Sequence, residues 1–309
     1  MVSYIHIKLE ITGNYCMKLN EYYKKCTLCP RACKADRTSS TVGACGMGAN
    51  LTAARASLHM WEEPPISGER GSGTVFFSGC SLSCVFCQNA EISHGGEGKV
   101  IDCLRLAEIF LELEQKGAHN INLVTASHFV PHVISALDIA KEMGLSVPVL
   151  YNCGGYEKAD TIRSLSGKID IYLPDLKYAD NALAKALSGI SDYFEVATAA
   201  IREMVAQVGP VQWRDDKVVK GVIIRHLILP GNVENSLKVL DWIGEAFAPG
   251  EVLVSLMRQY TPMGSLGAPM DRPITDEEYD SVLSWMYLND LQGFTQEESS
   301  ADTTYIPDF

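Results

Sequence analysis

Cys80, Cys84 and Cys87 stand in the stretch GCSLSCVFCQN (79–89) at a C-x3-C-x2-C spacing, among apolar and aromatic neighbours. Clustered thiols in a large chain point to metal rather than to disulfides. A structural zinc ion is usually closed by four ligands, so a three-thiol loop leaves a metal centre with an open position. A 4Fe-4S cluster needs a ligand for each of its four irons, and three cysteines leave one iron able to bind something else. No fourth cysteine follows closely, since the next is Cys103. The missing ligand is where chemistry can enter.

A second group lies upstream. Cys26, Cys29 and Cys33 are followed by Cys45, with Cys16 as an outlier. Four thiols suffice to close a tetrahedral zinc site or to hold a second iron-sulfur cluster, and the residues leave both open. Arg31, Lys34 and Arg37, in CPRACKADR, would offset thiolate charge. Cys103 and Cys153 lie in apolar segments and read as buried, inert thiols.

These residues need a frame. From Gly71 onward, short β-branched runs alternate with longer amphipathic stretches. Strands are expected at 74–79, 120–126, 147–152, 169–174, 222–229 and 251–257. Between them apolar residues fall at three- and four-residue steps, as in CLRLAEIFLELEQKG and YFEVATAAIREMVAQVG, the period of amphipathic helices. A last helix is expected at TDEEYDSVLSWMYL, where Thr275 and Glu278 have the spacing of a capping box.

Nearly continuous apolar strands suit a parallel sheet covered on both faces. In such folds function gathers at the C-terminal ends of the strands, and the three-cysteine loop lies at the first of them. Thr125, Ser127 and His128 follow the second strand; Asn152 ends the third; Asp175 and Lys177 follow the fourth; Asn232 follows the fifth; Arg258, Gln259 and Tyr260 follow the sixth. Asp175 and Lys177, two apart, project to one side. Arg225, inside an apolar strand, demands a partner. His128 and His226 read as hydrogen-bonded rather than catalytic. Periodicity alone does not separate an open doubly wound sheet from a partial barrel.

At 309 residues, 47% hydrophobic and 21% charged, the chain can bury a sizeable core. A formal charge of -12 and a pI near 5.1 argue against a nucleic-acid surface, which normally shows a basic stripe. No apolar run approaches membrane-spanning length, and the first twenty residues lack a secretory pattern, so the chain reads as cytoplasmic with no membrane partner.

The C-x3-C-x2-C spacing with Phe86 before the last cysteine, after the first strand of a six-fold β/α chain, resembles the radical S-adenosylmethionine (radical SAM) superfamily. IDIYLPDLKY and IIRHLILPGN resemble the fourth- and fifth-strand motifs of pyruvate formate-lyase activating enzymes. CTLCPRAC, NINLVTASHFVP and the ending DTTYIPDF resemble the activating-enzyme-like branch of that family, so the resemblance covers nearly the whole chain. It implies an α/β fold: a partial (β/α)6 TIM-like barrel over 71–309 behind a small Cys-rich N-terminal extension over 1–70.

The same resemblance implies an oxidoreductase in which Cys80, Cys84 and Cys87 ligate a 4Fe-4S cluster and S-adenosylmethionine (SAM) chelates the fourth iron. An electron from the reduced cluster would cleave SAM to methionine and a 5′-deoxyadenosyl radical that abstracts a hydrogen atom. Phe86 would lie along the adenine, Asp175 and Lys177 would meet the carboxylate and ribose region, and Asn152 and Arg225 would add polar contacts. The family's Gly-Gly-Glu motif, which receives the SAM amine, belongs at the second-strand end. Here Gly95, Gly96 and Glu97 come too early, and amine recognition is expected to fall to Thr125, Ser127 or backbone carbonyls at the second-strand end. Cys26, Cys29, Cys33 and Cys45 would hold a second iron-sulfur cluster or zinc. The implied partners are a reductase, flavodoxin or ferredoxin as electron donor, and a glycyl radical enzyme such as a pyruvate formate-lyase, another protein, or a small molecule, as substrate. The competing reading is a non-catalytic zinc-binding adaptor, which needs a fourth ligand near Cys80 that the sequence does not offer.

Overall fold

The computed structural model describes residues 19–95, 97–263 and 266–296. Cys16, Gly96 and the DTTYIPDF ending lie outside the described residues. All six expected strands form, and they pair in parallel. The order runs from β2 (Ser72–Phe77) through β4 (Ile121–Val124), β5 (Val149–Cys153), β6 (Ile171–Pro174) and β8 (Lys217–Leu227) to β9 (Leu253–Met257). At one edge β10 (Gly293–Thr295) continues the parallel run. At the other, β1 (Thr52–His59) adds antiparallel to β2, and β3 (Lys99–Val100) adds to β1. A short β7 (Gln212–Arg214) pairs antiparallel with β8.

The additions have weak sequence signals. TAARASLH in β1 is rich in Ala and Ser, poor formers of a pleated surface, and β3 and β10 are too short to show a period. β8 begins five residues before its apolar run because Lys217–Lys220 form the return arm of a hairpin with β7. The amphipathic helices Cys103–Gln115, Val130–Glu142, Tyr193–Val208 and Val233–Ala246 form as expected. The last helix, Asp276–Leu288, starts at the expected box: Glu278 N–H donates to Thr275 Oγ1 (3.2 Å), and Thr275 N–H donates to Glu278 Oε2 (2.9 Å). No helix among the described residues is long and apolar enough to cross a membrane.

The sheet curls. Phe76 of β2 and Phe294 of β10, far apart in the strand order, line one cavity of about 320 Å³. This is the partial barrel of the α/β class. Its inward positions change character in step along four strands. Leu150, Leu173, Ile223 and Leu253 pack together in one cluster, and two residues on stand Asn152, Asp175, Arg225 and Ser255, which line the cavity. Two residues advance a strand by about 6.6 Å and keep the side chain on the same face. A dry layer therefore lies beneath a polar one.

The segment WEEPPIS (61–67) completes both layers. After β1 the chain turns inward through the short helix Pro64–Ser67, and Ile66 packs fully buried against Leu150, Ile171, Leu173, Ile223 and Leu253. Glu62 and Glu63 reach the polar layer above.

Candidate functional site

Cys80, Cys84 and Cys87 follow β2 and all three line the cavity. Gly79, before them, has φ +82°, and a Cβ there would stand 2.6 Å from the Cys45 carbonyl, so only glycine lets the upstream segment press against the loop. None of the three thiols is in a disulfide. Each has a polar neighbour: Leu82 N–H donates to Cys80 Sγ (3.4 Å), Ser188 Oγ donates to Cys84 Sγ (3.0 Å), and Ser93 Oγ lies 3.4 Å from Cys87 Sγ. Burial, then the neighbouring Cys84, pushes the Cys80 thiol up to about 12. Burial also raises Cys84, against the pull of Lys177. Three thiols, hydrogen-bonded at sulfur and facing a cavity, are a donor set that fits an iron-sulfur cluster with one iron unligated by protein. Binding would displace the thiol protons.

Below the loop lies a buried ionic network. Lys177 Nζ donates to Asp175 Oδ2 (2.5 Å), and Arg225 Nε donates to Asp175 Oδ1 (2.8 Å). Arg225 Nη2 donates to Asn152 Oδ1 (2.6 Å), and Nη1 reaches Glu62 Oε2 (3.4 Å). Glu62 Oε1 accepts from Asn122 Nδ2 (2.9 Å) and Asn152 Nδ2 (3.2 Å). Burial works against charge on Asp175, but Arg225 and then Lys177 hold its carboxyl below the usual range. Lys177 is likewise raised by Asp175 against burial. The backbone makes room for this pair: at Gly155, φ +78°, a Cβ would lie 2.0 Å from the Asp175 carbonyl.

The structure therefore brings Phe86, Thr125, Asn152, Asp175, Lys177 and Arg225 to one cavity with the cysteines. Phe86 is buried against Tyr260, ring centroids 6.1 Å apart. Thr125 has φ +60°, rare for a β-branched residue, where β4 gives way to the turn Ser127–Phe129. Ser127 does not line the cavity, and its hydroxyl donates to the buried Glu157. Of the early Gly-Gly-Glu, Gly95 ends the helix Ala90–Gly95, and the Glu97 carbonyl accepts from Ser78 Oγ. His128 and His226 are buried and bonded, to the Ser78 carbonyl (2.7 Å), and to the Leu176 carbonyl (2.7 Å) and Ser236 Oγ (2.9 Å). Burial lowers them to about 3 and about 4. Asn232 and its loop lie away from the cavity, Nδ2 donating to the Pro230 carbonyl. Cys153, expected to be inert, is buried yet touches the cavity.

Reading the sequence missed Glu62 and Glu63. Their signal was present: adjacent carboxylates between Trp61 and Pro64-Pro65, too close to apolar neighbours for an ordinary solvated pair.

The upstream cysteines pack outside the cavity. Arg37, 1% exposed, lies between the rings of Tyr23 (4.7 Å) and Phe129 (5.5 Å). Its guanidinium donates to the carbonyls of Met47 (3.0 Å), Gly48 (2.7 Å) and His128 (2.9 Å) and reaches Cys26 Sγ at 3.5 Å. Cys26, Cys29 and Cys45 are buried, whereas Cys33 is exposed. Burial pushes Cys29 up to about 11. Burial would raise Cys33 too, but the backbone of Ala35 and Ala44, and Arg37, hold it below its ordinary value. Arg31 Nε donates to the Ser81 carbonyl (2.9 Å), tying this segment to the three-cysteine loop. Among the described residues, no three His, Cys, Asp or Glu side chains form a group fit for a single metal ion. A cluster, in which each thiolate takes a different iron, needs its thiols further apart than one ion does.

No family model matches the chain. It is 27% identical over 291 residues to the uncharacterized protein MJ0674 of Methanocaldococcus jannaschii, an alignment covering 90% of this chain and 77% of that one. Among solved structures it is similar to HydG, a maturase of the [FeFe]-hydrogenase, with TM-score 0.48 and 10% identity over 73% of this chain and 52% of that chain. SuiB of Streptococcus suis, in a structure bound to S-adenosylmethionine, gives TM-score 0.46 and 13% identity over 71% of this chain and 48% of that chain. The chain thus spans about half the length of these two solved proteins.

Proposed function

We propose that this protein is a radical SAM enzyme whose cluster is held by Cys80, Cys84 and Cys87. The observation that carries the reading is the cavity itself: three thiols that leave a fourth iron unligated face the same space as the buried Asp175–Lys177–Arg225 network. When bound, a reduced 4Fe-4S cluster supplies the electron that cleaves SAM to methionine and a 5′-deoxyadenosyl radical, which takes a hydrogen atom from the substrate.

The chain's own residues bind, orient and exclude water. Lys177 offsets negative charge at Cys84, and its ion pair with Asp175 sets a charged edge for the polar end of SAM. Phe86, beside the last cysteine, offers a flat apolar face to the adenine. Thr125, at the left-handed turn ending β4, and Asn152 supply polar atoms where Gly-Gly-Glu is missing. Cys26, Cys29, Cys33 and Cys45, clamped to the loop through Arg31, would hold the second centre, and Arg37 would offset its thiolates. A flavodoxin, ferredoxin or reductase would deliver the electron. The hydrogen donor would be a glycyl radical enzyme or another protein. A zinc adaptor gains no support from a cavity lined by buried ion pairs, since an adaptor needs neither.

Anaerobic reconstitution with iron and sulfide, followed by reduction with SAM and an assay for 5′-deoxyadenosine, tests the proposal. Formation of 5′-deoxyadenosine is expected. Its absence from protein carrying a full, reducible cluster would overturn it.

A further inference from the structure

The floor of the cavity carries more carboxyl groups than Lys and Arg side chains. Glu62, Glu63 and Asp175 all line it, against Lys177 and Arg225. Asp175 takes up both cations. All three guanidinium nitrogens of Arg225 are engaged, with Asp175, Glu62 and Asn152. Glu63 is left over. It is 8% exposed, and its Oε2 has no hydrogen-bond partner. Leaving a carboxylate oxygen buried and unpaired is costly, and burial accordingly raises the Glu63 carboxyl. The chain nonetheless brings this buried residue to the wall of the cavity by turning WEEPPIS into the barrel and anchoring it with Ile66.

Depth separates this carboxylate from the cysteines. Glu62, its neighbour, is bonded to Asn122 and Asn152, which stand three residues and one residue before the level of Thr125 at the strand end, and from Glu63 the chain runs on to Ile66 in the dry layer. The three-cysteine loop belongs to the strand ends. Trp61, Phe76 and Phe294 line the same cavity. Aromatic faces and a carboxylate together favour a cation, which both attract.

We propose that Glu63 receives a cationic group, a primary ammonium or a guanidinium, on the molecule that donates hydrogen in this cavity. The inference rests on the radical SAM reading for what occupies the cavity near the cysteines, and on the structure alone for the carboxylate. An ammonium or guanidinium donates N–H to Oε2 and supplies the cation that the floor lacks. Glu63 is thus a specificity residue, selecting substrates by charge.

The test uses the reconstituted protein with SAM, and probes butylammonium and methylguanidinium against the neutral isosteres pentane and methylurea, each followed by saturation-transfer NMR. The wild type is expected to bind at least one cation at least tenfold more tightly than its isostere. Glu63→Gln should abolish that preference and Glu63→Asp, which keeps the charge, should retain it, with circular dichroism reporting the fold of both. Equal binding of cations and isosteres by the wild type would overturn the inference, and so would a preference that survives in a folded Glu63→Gln. Assaying 5′-deoxyadenosine in the same wild-type preparation keeps the two proposals apart: a Glu63-dependent preference without SAM cleavage upholds the carboxylate and sinks the enzyme reading, and the converse sinks only the carboxylate.

Discussion

Two groups of cysteines lie side by side in this protein and live in opposite surroundings. The loop of Cys80, Cys84 and Cys87 opens onto a cavity, and its nearest cation, Lys177, is already paired with Asp175. The group of Cys26, Cys29, Cys33 and Cys45 lies outside that cavity, and its nearest cation, Arg37, is buried among carbonyls and rings with no carboxylate among its described bonded partners. A cation held that way is best balanced by thiolate charge. The difference teaches that cysteine spacing says which residues can bind metal, while the surroundings say whether the metal can meet a substrate.

The largest effect should separate the two groups outright. Cys84→Ala should abolish 5′-deoxyadenosine formation, whereas Cys29→Ala should leave the loop cluster's absorption in place and lower thermal stability. If both variants fold and both lose the loop cluster, the two groups act as one site and the contrast fails. Iron and zinc analysis sharpens it: the loop accounts for about four irons, and the upstream group for about four more or for one zinc.

Next in size is the ionic floor. Asp175→Ala leaves Lys177 and Arg225 as buried cations without a shared anion, and unfolding by denaturant should show a loss of about 3 to 5 kcal/mol. Lys177→Ala should weaken SAM binding by about 1 to 3 kcal/mol with the cluster spectrum unchanged. Titration at wild-type affinity in the Lys177 variant would remove that residue from the SAM site.

Arg37→Gln probes the other side. It removes a donor from the carbonyls of Met47, Gly48 and His128, and a loss of about 1 to 3 kcal/mol is expected from weakened bonds of this kind. Metal bound by the upstream cysteines should fall with it, and iron in the loop should stay. Retention of all metal by the variant would mean that Arg37 serves packing alone.

The smallest effect depends on pH. Glu157 stands near Cys29 and Cys153 and raises both thiols, and burial pushes its own carboxyl up to about 7. The fold therefore holds a proton there that the unfolded chain releases near its ordinary value of 4.5. Stability from this group is complete below that value and is lost as pH rises through 7. Glu157→Gln should be more stable than the wild type by about 1 to 3 kcal/mol at pH 8, and the gain should shrink at pH 5. A melting-temperature difference that is equal at both pH values would contradict the assignment.

The sequence by itself determined what acts over a few residues. The alternation of strands and helices, the Thr275–Glu278 box, the thiol spacing and the shared side of Asp175 and Lys177 all follow from local periodicity and short-range hydrogen bonds. It also required a partner for Arg225, because an isolated charge in an apolar strand is too costly, but it did not say which one. Tertiary structure decided that. Glu62 meets Asn122, Asn152 and Arg225 across 60, 90 and 163 residues of chain. Ser127, a polar residue at a strand end like the others, is turned away from the cavity to Glu157. Such pairings depend on how far the sheet curls and on where WEEPPIS enters it, and neither leaves a local trace. Charge and burial are therefore settled together only once the barrel is packed, which is why the acidic floor of the cavity came from the fold and the cysteines above it from the sequence.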